Sequence, residues 1–176
     1  MPSDSAKTLL RTLTQELFQT ETSAVRHCRR EGNRYDDAPP AQALRAVADH
    51  AEEVLKHLPS LATRESLPLS RFGVLAGSLF SELRDKLLDR LIQTERSYRG
   101  TLLGVRHGVD VVISLRHAAE AVGNERIFDF CESWLVQRSV LMERVEEELV
   151  WFSRHPEAAV QGVGSPVLRQ ATSAAH

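Results

Sequence analysis

Cysteine is scarce. The 176 residues contain two, Cys28 and Cys131. A disulfide framework needs more, so two buried thiols in a reducing cytoplasm are expected. Neither sign of charge is in excess: 22 Lys and Arg oppose 24 Asp and Glu, for a net charge of −2. Proteins that grip nucleic acid carry a basic face, and this composition gives no ground to expect such a partner. Long apolar runs are missing as well. Val111-Val112-Ile113 is typical of the longest, against the roughly 20 residues a membrane helix requires. No membrane partner is therefore expected. The start, Met1-Pro2-Ser3-Asp4-Ser5, is polar and acidic and does not read as a signal peptide. The expected location is the cytoplasm.

Proline is absent between 69 and 155. Because proline breaks helix interiors, that gap favours helix. The hydrophobic fraction, 42%, and the charged fraction, 26%, are those of an ordinary globular chain. A first helix is expected over about 4–31. Ser3 or Asp4 caps it, and Arg29-Arg30 before Gly32 suit the negative end of its dipole. Its apolar stripe is Leu10, Leu13, Leu17, Ala24 and Cys28. A second helix starts at Pro39-Pro40 and runs to about His57, stopped by Pro59. Its stripe includes Leu44, Val47, Ala51, Val54 and Leu58. Residues 59–70 read as a connection. Helical periodicity resumes at Ser70 and continues to Val122, where Gly123 reads as a stop and Asn124 as the next cap. The last long helix covers about 125–154. The tail from Pro156 is small, polar and aperiodic and is expected to be flexible. The division is thus a helical-bundle domain over 1–155 and a tail over 156–176.

The stretch 71–122 is too long for its neighbours. As one helix it would reach roughly 75 Å at about 1.5 Å per residue, against about 45 Å for the first and last helices. The preferred reading is a crossover over 58–78 followed by one long helix. A break near Gly100, giving five helices, is the alternative. The expected fold is all-α, a bundle of four long helices.

Two carboxylates stand where apolar residues belong. Glu21 continues the stripe of the first helix, and Glu95 lies on the stripe Leu88, Leu91, Tyr98, Leu102, Val105, Val109. Each falls within roughly 50° of the centre of its apolar face at about 100° per residue. Buried charges need a partner or a metal. Two arginines also interrupt apolar stripes: Arg138 between Trp134 and Leu141, and Arg116 between Val112 and Ala119. A polar core network of Glu21, Glu95, Tyr98, Arg116 and Arg138 follows, with arginine as the counter-charge.

The paired long helices, their long central connection and the lone glutamates in Leu17-Phe18-Gln19-Thr20-Glu21 and Glu95-Arg96-Ser97-Tyr98 resemble the ferritin-like superfamily. That superfamily faces a Glu from the first and the third helix into the bundle, and a Glu-x-x-His pair from each of the others completes a di-iron site. The resemblance implies iron or another divalent metal at Glu21 and Glu95. The pattern is incomplete here: the last helix has no histidine, and His50, Glu53 and His57 on the second lie off its apolar face at the wrong spacing. As the nearest ligands that helix offers, they complete the alternative metal set.

The remaining histidines give weaker signals. A phosphotransfer histidine is followed three residues later by a basic residue, but His50, His107 and His117 are followed by Glu53, Asp110 and Glu120. An acid there opposes a phosphoryl group. Only His27, with Arg30, has the right sign. His107, Asp110 and His117 read as a solvated stripe rather than a metal site. No nucleophile–base pair or phosphate loop is present, so no catalytic residue is assigned.

Gly100, Gly104 and Gly108 recur every fourth residue and lead into Val111 and Leu115. Glycine weakens a helix by about 1 kcal/mol relative to alanine. Three in register point to close approach by another helix, either 71–92 folded back or a second subunit in a homodimer. The sequence thus describes a non-enzymatic cytoplasmic bundle that self-associates around a polar ion-pair core and needs no cofactor. The alternative is a ferritin-like metal-binding or iron-handling protein.

Overall fold

A computed structural model describes residues 3–69 and 93–162. Helix α1, Asp4–Gly32, opens with the Ser3 side chain accepting from the Ala6 N–H and ends with Arg29 and Arg30 in its last turn. Its buried face is Leu10, Leu17, Glu21, Ala24, Cys28 and Glu31. These spacings of three, four and seven are one helical stripe. Helix α2, Pro39–Arg64, starts with proline in its first turn, where a missing N–H loses nothing. Helix α3 is Thr94–Val122 and α4 is Glu125–Glu147. Between them Gly123 takes φ of +71°, and the Asn124 side chain accepts from the Ile127 N–H. Glycine and then asparagine are the residues such a stop and restart require.

Four sequence expectations change. Pro59 does not end α2, which continues through it to Arg64. Beyond the proline, Ala62 is buried, and Leu58 just before it is fully buried. Their burial offsets the lost backbone bond. The helix expected over 125–154 stops at Glu147 and resumes as α5, Leu149–Arg154. That offset brings Phe152 against Tyr35 and Tyr98, with ring centroids 5.8 and 5.1 Å away. The expected flexible tail begins instead as α6, Pro156–Val160. Its Ala158 is buried, and the Gln161 carbonyl accepts from both the N–H and the hydroxyl of Thr94, at 2.9 and 2.8 Å. Finally, α3 starts at Thr94 and runs unbroken past Gly100 and Gly104. The expectations for 71–92 and for 163–176 lie outside the described residues.

The four long helices lie side by side, α1 against α2 and α3, and α4 against α3 and α2. Cross-links fix their directions. Arg29 meets Asp49 while Gly32 faces Ala41, and Ser97 bonds Glu31 while Gly108 faces Thr20. His50 meets Arg138 while Glu65 meets Asn124, and Arg106 meets Glu146 while Arg116 meets Glu132. Each adjacent pair is therefore antiparallel, and the diagonal partners run parallel. Helix α2 ends beside Asn124. Helix α3 begins at the other end, beside Tyr35.

The buried apolar residues fall into two clusters. One gathers Leu10, Leu17, Leu58, Leu115, Ile127 and Trp134. The other gathers Cys28, Leu44, Val47, Tyr98, Val105 and Val145. Along α1, α2 and α4, residues 21, 50 and 138 fall between them.

Candidate core ion-pair site

Glu21 projects from the stripe of α1, and Arg138 from the stripe of α4. Each is 1% exposed, and the Arg138 Nη2 donates to the Glu21 Oε2 at 2.6 Å. The Arg138 Nε donates to His50 Nδ1 at 3.1 Å. The guanidinium also lies 4.7 Å from the centre of the Trp134 ring, and that ring is tilted against His50 at 5.9 Å. One guanidinium thus ties α1, α2 and α4 together at mid-length.

Burial is the largest influence on all three groups. It raises the Glu21 carboxyl, against the charge and hydrogen bond of Arg138 and a smaller pull from the Trp134 indole N–H. That N–H makes no hydrogen bond of good geometry. Burial lowers Arg138, against the charge of Glu21. Guanidinium nonetheless keeps its proton inside proteins, so the 2.6 Å contact is an ionised pair. Burial and the neighbouring Arg138 push His50 down to about 4. The ring is therefore neutral near pH 7, with Nδ1 as the acceptor. Cys28 is raised by burial to about 12, so it is an unreactive thiol.

Only part of the expected network assembles. Glu95 is not in it. It sits in the first turn of α3, 29% exposed, and pairs with Arg99 at 2.6 Å. The stripe that placed it inward assumed a helix continuous with Leu88 and Leu91. Gln93 is extended instead, with ψ of 146°, and it bridges to Gly162. Arg116 bonds Glu132 at 2.8 Å across α3 and α4, partly exposed and apart from Glu21. Tyr98 is buried, but its hydroxyl donates to the Val145 carbonyl at 2.9 Å.

The alternative metal set does not come together. Glu53 and His57 are exposed and bond each other at 2.8 Å on the outer face of α2, with Lys56 on the same carboxylate. His50 is turned inward and occupied by Arg138. Among the described residues no group of three or more His, Cys, Asp or Glu is arranged to hold a metal. His107 and His117 stand apart on α3, near Glu16 and Glu120 at 3.4 and 3.6 Å. His27 has an arginine nitrogen near each ring nitrogen, from Arg26 and Arg30 at 3.3 and 3.1 Å.

The glycine stripe is not one exposed face. Gly108 faces Thr20 of α1, 3.9 Å from where a Cβ would stand. Val111 and Leu115 are in the core, 4% and 0% exposed. They pack into the core of the chain itself. Gly100 and Gly104 have no described neighbour within 4 Å of an added Cβ. They line a groove of about 500 Å³ between α1 and α3, beside Ser23, Ala24 and Thr101.

A second buried carboxylate was missed in the sequence. Glu31 is 1% exposed and is held by Arg34, by the Tyr35 hydroxyl and by the Ser97 hydroxyl, the last at 2.8 Å. Arg34 also donates to Ser97 at 2.8 Å. Burial and the adjacent Glu31 raise the Tyr35 hydroxyl well above its usual range, so it stays protonated and donates. Extending the stripe 21, 24, 28 by one step reaches residue 31.

Comparison with known protein families, with curated proteins and with solved structures finds no match. Three observations define the class instead: the described residues are helical apart from turns and one bridge, no described helix is long and apolar enough to cross a membrane, and the mid-core is closed by an ion pair.

Proposed function

We propose that this chain is a non-enzymatic, self-associating helical-bundle protein of the cytoplasm, with a ferritin-like course of its four long helices. The observation that carries the reading is the buried Glu21–Arg138 pair at 2.6 Å. In the ferritin-like arrangement the middle of the bundle is where inward carboxylates and histidines meet a metal. Here a guanidinium supplies the positive charge that the Glu21 carboxylate needs and takes the lone pair of the inward-facing histidine. A cation there would have to displace a buried arginine onto nothing, which costs several kcal/mol. The antiparallel neighbours and the parallel α2 and α3, joined from opposite ends, support the ferritin-like course.

Self-association draws support from another surface than the glycine stripe. Val136 and Val140 are one turn apart on α4 and 68% and 57% exposed. Ile113 of α3, 39% exposed, is level with them in the register set by Arg106–Glu146 and Arg116–Glu132.

Metal analysis tests the reading. Protein purified without chelator and then dialysed against iron(II) or zinc is expected to retain substoichiometric metal. Arg138→Met is expected to lose stability without gaining metal. One or two tightly held ions per chain in the unaltered protein would replace this reading with the iron-handling one.

A further inference from the structure

We propose that His50 is an acid-sensitive latch: its protonation breaks the bond to Arg138 and loosens α2 from α4 at the middle of the bundle. The proposal rests on the site being an ion pair and not a metal centre. Its basis is the direction of one hydrogen bond. The Arg138 Nε always carries a proton, so at 3.1 Å it is the donor and His50 Nδ1 the acceptor. A protonated imidazole has no acceptor. The added proton would set two donors and two positive charges against each other, in a place already short of solvent.

The groups around the ring do not relieve that clash. From α4, His50 meets Arg138, the Trp134 ring and the Gln137 side chain, and only Arg138 is charged. From α1, Glu21 is committed to Arg138 Nη2 at 2.6 Å, and its charge is matched by that guanidinium. Within α2, Glu53 is turned to Lys56 and His57 at 2.9 and 2.8 Å, and Asp49 and Glu52 to Arg29 at 2.8 Å each. The Gln137 side chain favours the charged ring, but burial and Arg138 outweigh it.

The rest of the pair amplifies the effect. Arg138 is fixed to α1 by Glu21 and to Trp134 by stacking, so it has no free direction in which to retreat from the ring. The mobile partner is then His50, which is only partly buried. Its exit carries the middle of α2 outward and uncovers the Trp134 face it was tilted against. A base whose folded value is depressed from 6.5 to about 4 contributes stability above pH 6.5 that is lost progressively as pH falls towards 4. The full window corresponds to about 300-fold in the opening equilibrium. Solvent screening of a half-buried ring reduces this to roughly 30-fold.

The test follows amide hydrogen exchange of the full chain between pH 7.5 and 4.5, corrected for intrinsic rates, on a sample whose metal content is measured first. In the unaltered protein, amides over 47–54 and 134–141 are expected to open roughly 10- to 30-fold more often at the acid end. His50→Asn keeps an acceptor near the Nδ1 position and cannot titrate, so its exchange over the same amides is expected to stay flat. Equal acid response in both proteins, or none in the unaltered one, overturns the latch. Stoichiometric metal in the sample overturns the underlying ion-pair reading instead. Should His50→Asn not fold, the ring is titrated by NMR in the unaltered protein. Protonation well below pH 6.5, accompanied by movement of the Arg138 Nε resonance, supports the proposal. Protonation at or above 6.5 overturns it.

Discussion

Glu21 and Arg138 were both visible in the sequence because each interrupts an apolar stripe, and a buried charge needs a reason. Their pairing was not visible. Glu95 and Arg116 interrupt stripes by the same reckoning, yet one is 29% exposed beside Arg99 and the other reaches Glu132. Periodicity gives a direction around a helix but not which end of the bundle a residue occupies, nor whether the helix has begun. Glu31 escaped for the complementary reason: it lies one step beyond where the stripe was thought to end. The pair itself makes a sharp prediction. Arg138→Ala leaves Glu21 buried without a counter-charge and is expected to destabilise by about 3–5 kcal/mol. Replacing both, as Glu21→Leu with Arg138→Met, removes the stranded charge and is expected to recover most of that loss. Urea unfolding of the two variants checks this. Equal losses in the single and double variants would mean that the site contributes through packing rather than charge.

At the scale of the helices, the legible boundaries are those written in local chemistry. Ser3, the proline at the start of α2, Gly123 and Asn124 each act on backbone groups within a turn of themselves. The boundaries at Gln93 and Glu148 depend on distant residues, on Gly162 for one and on Tyr35 and Tyr98 for the other. No local pattern announces them. Pro59 shows local chemistry losing to tertiary packing, and it can be tested. Pro59→Ala restores a backbone bond towards the end of α2 and is expected to stabilise by about 1–2 kcal/mol, less than the full proline penalty because alanine also frees the unfolded chain. The glycines separate in the same way. Gly104→Ala meets open space and should stabilise α3 by about 0.5–1 kcal/mol. Gly32→Ala would put a methyl 3.3 Å from the Ala41 carbonyl oxygen of α2, a backbone atom that cannot step aside, and should destabilise. Thermal melts that order the three variants otherwise would contradict the packing described for these helices.

At the scale of the whole molecule, the all-helical class followed from proline placement and periodicity, while the neighbour relations did not. The stripe of glycines shows why. Sequence could say that residues 100–115 of α3 have a second small or apolar face, but Gly108 meets Thr20 of α1, and Val111 and Leu115 belong to the core of the chain itself. A second subunit is no longer needed to explain them, and self-association falls to Ile113, Val136 and Val140. Along α3 and α4 these three lie between two rims, Arg106–Glu146 at one end and Arg116–Glu132 at the other. Both rims are neutralised within the chain, so a copy related by a twofold axis meets no excess of like charge. Three side chains cannot supply the roughly 800 Å² per partner of a stable interface, so the dimer should be weak and concentration-dependent. Sedimentation equilibrium over a range of concentrations is expected to show a shift from the 19.7 kDa chain to twice that mass. Val136→Glu with Val140→Glu buries two carboxylates at the same contact and should abolish the shift while leaving helicity intact. A chain that stays monomeric at every concentration would remove self-association from the proposed function, and a double variant that still dimerises would move the interface off α4.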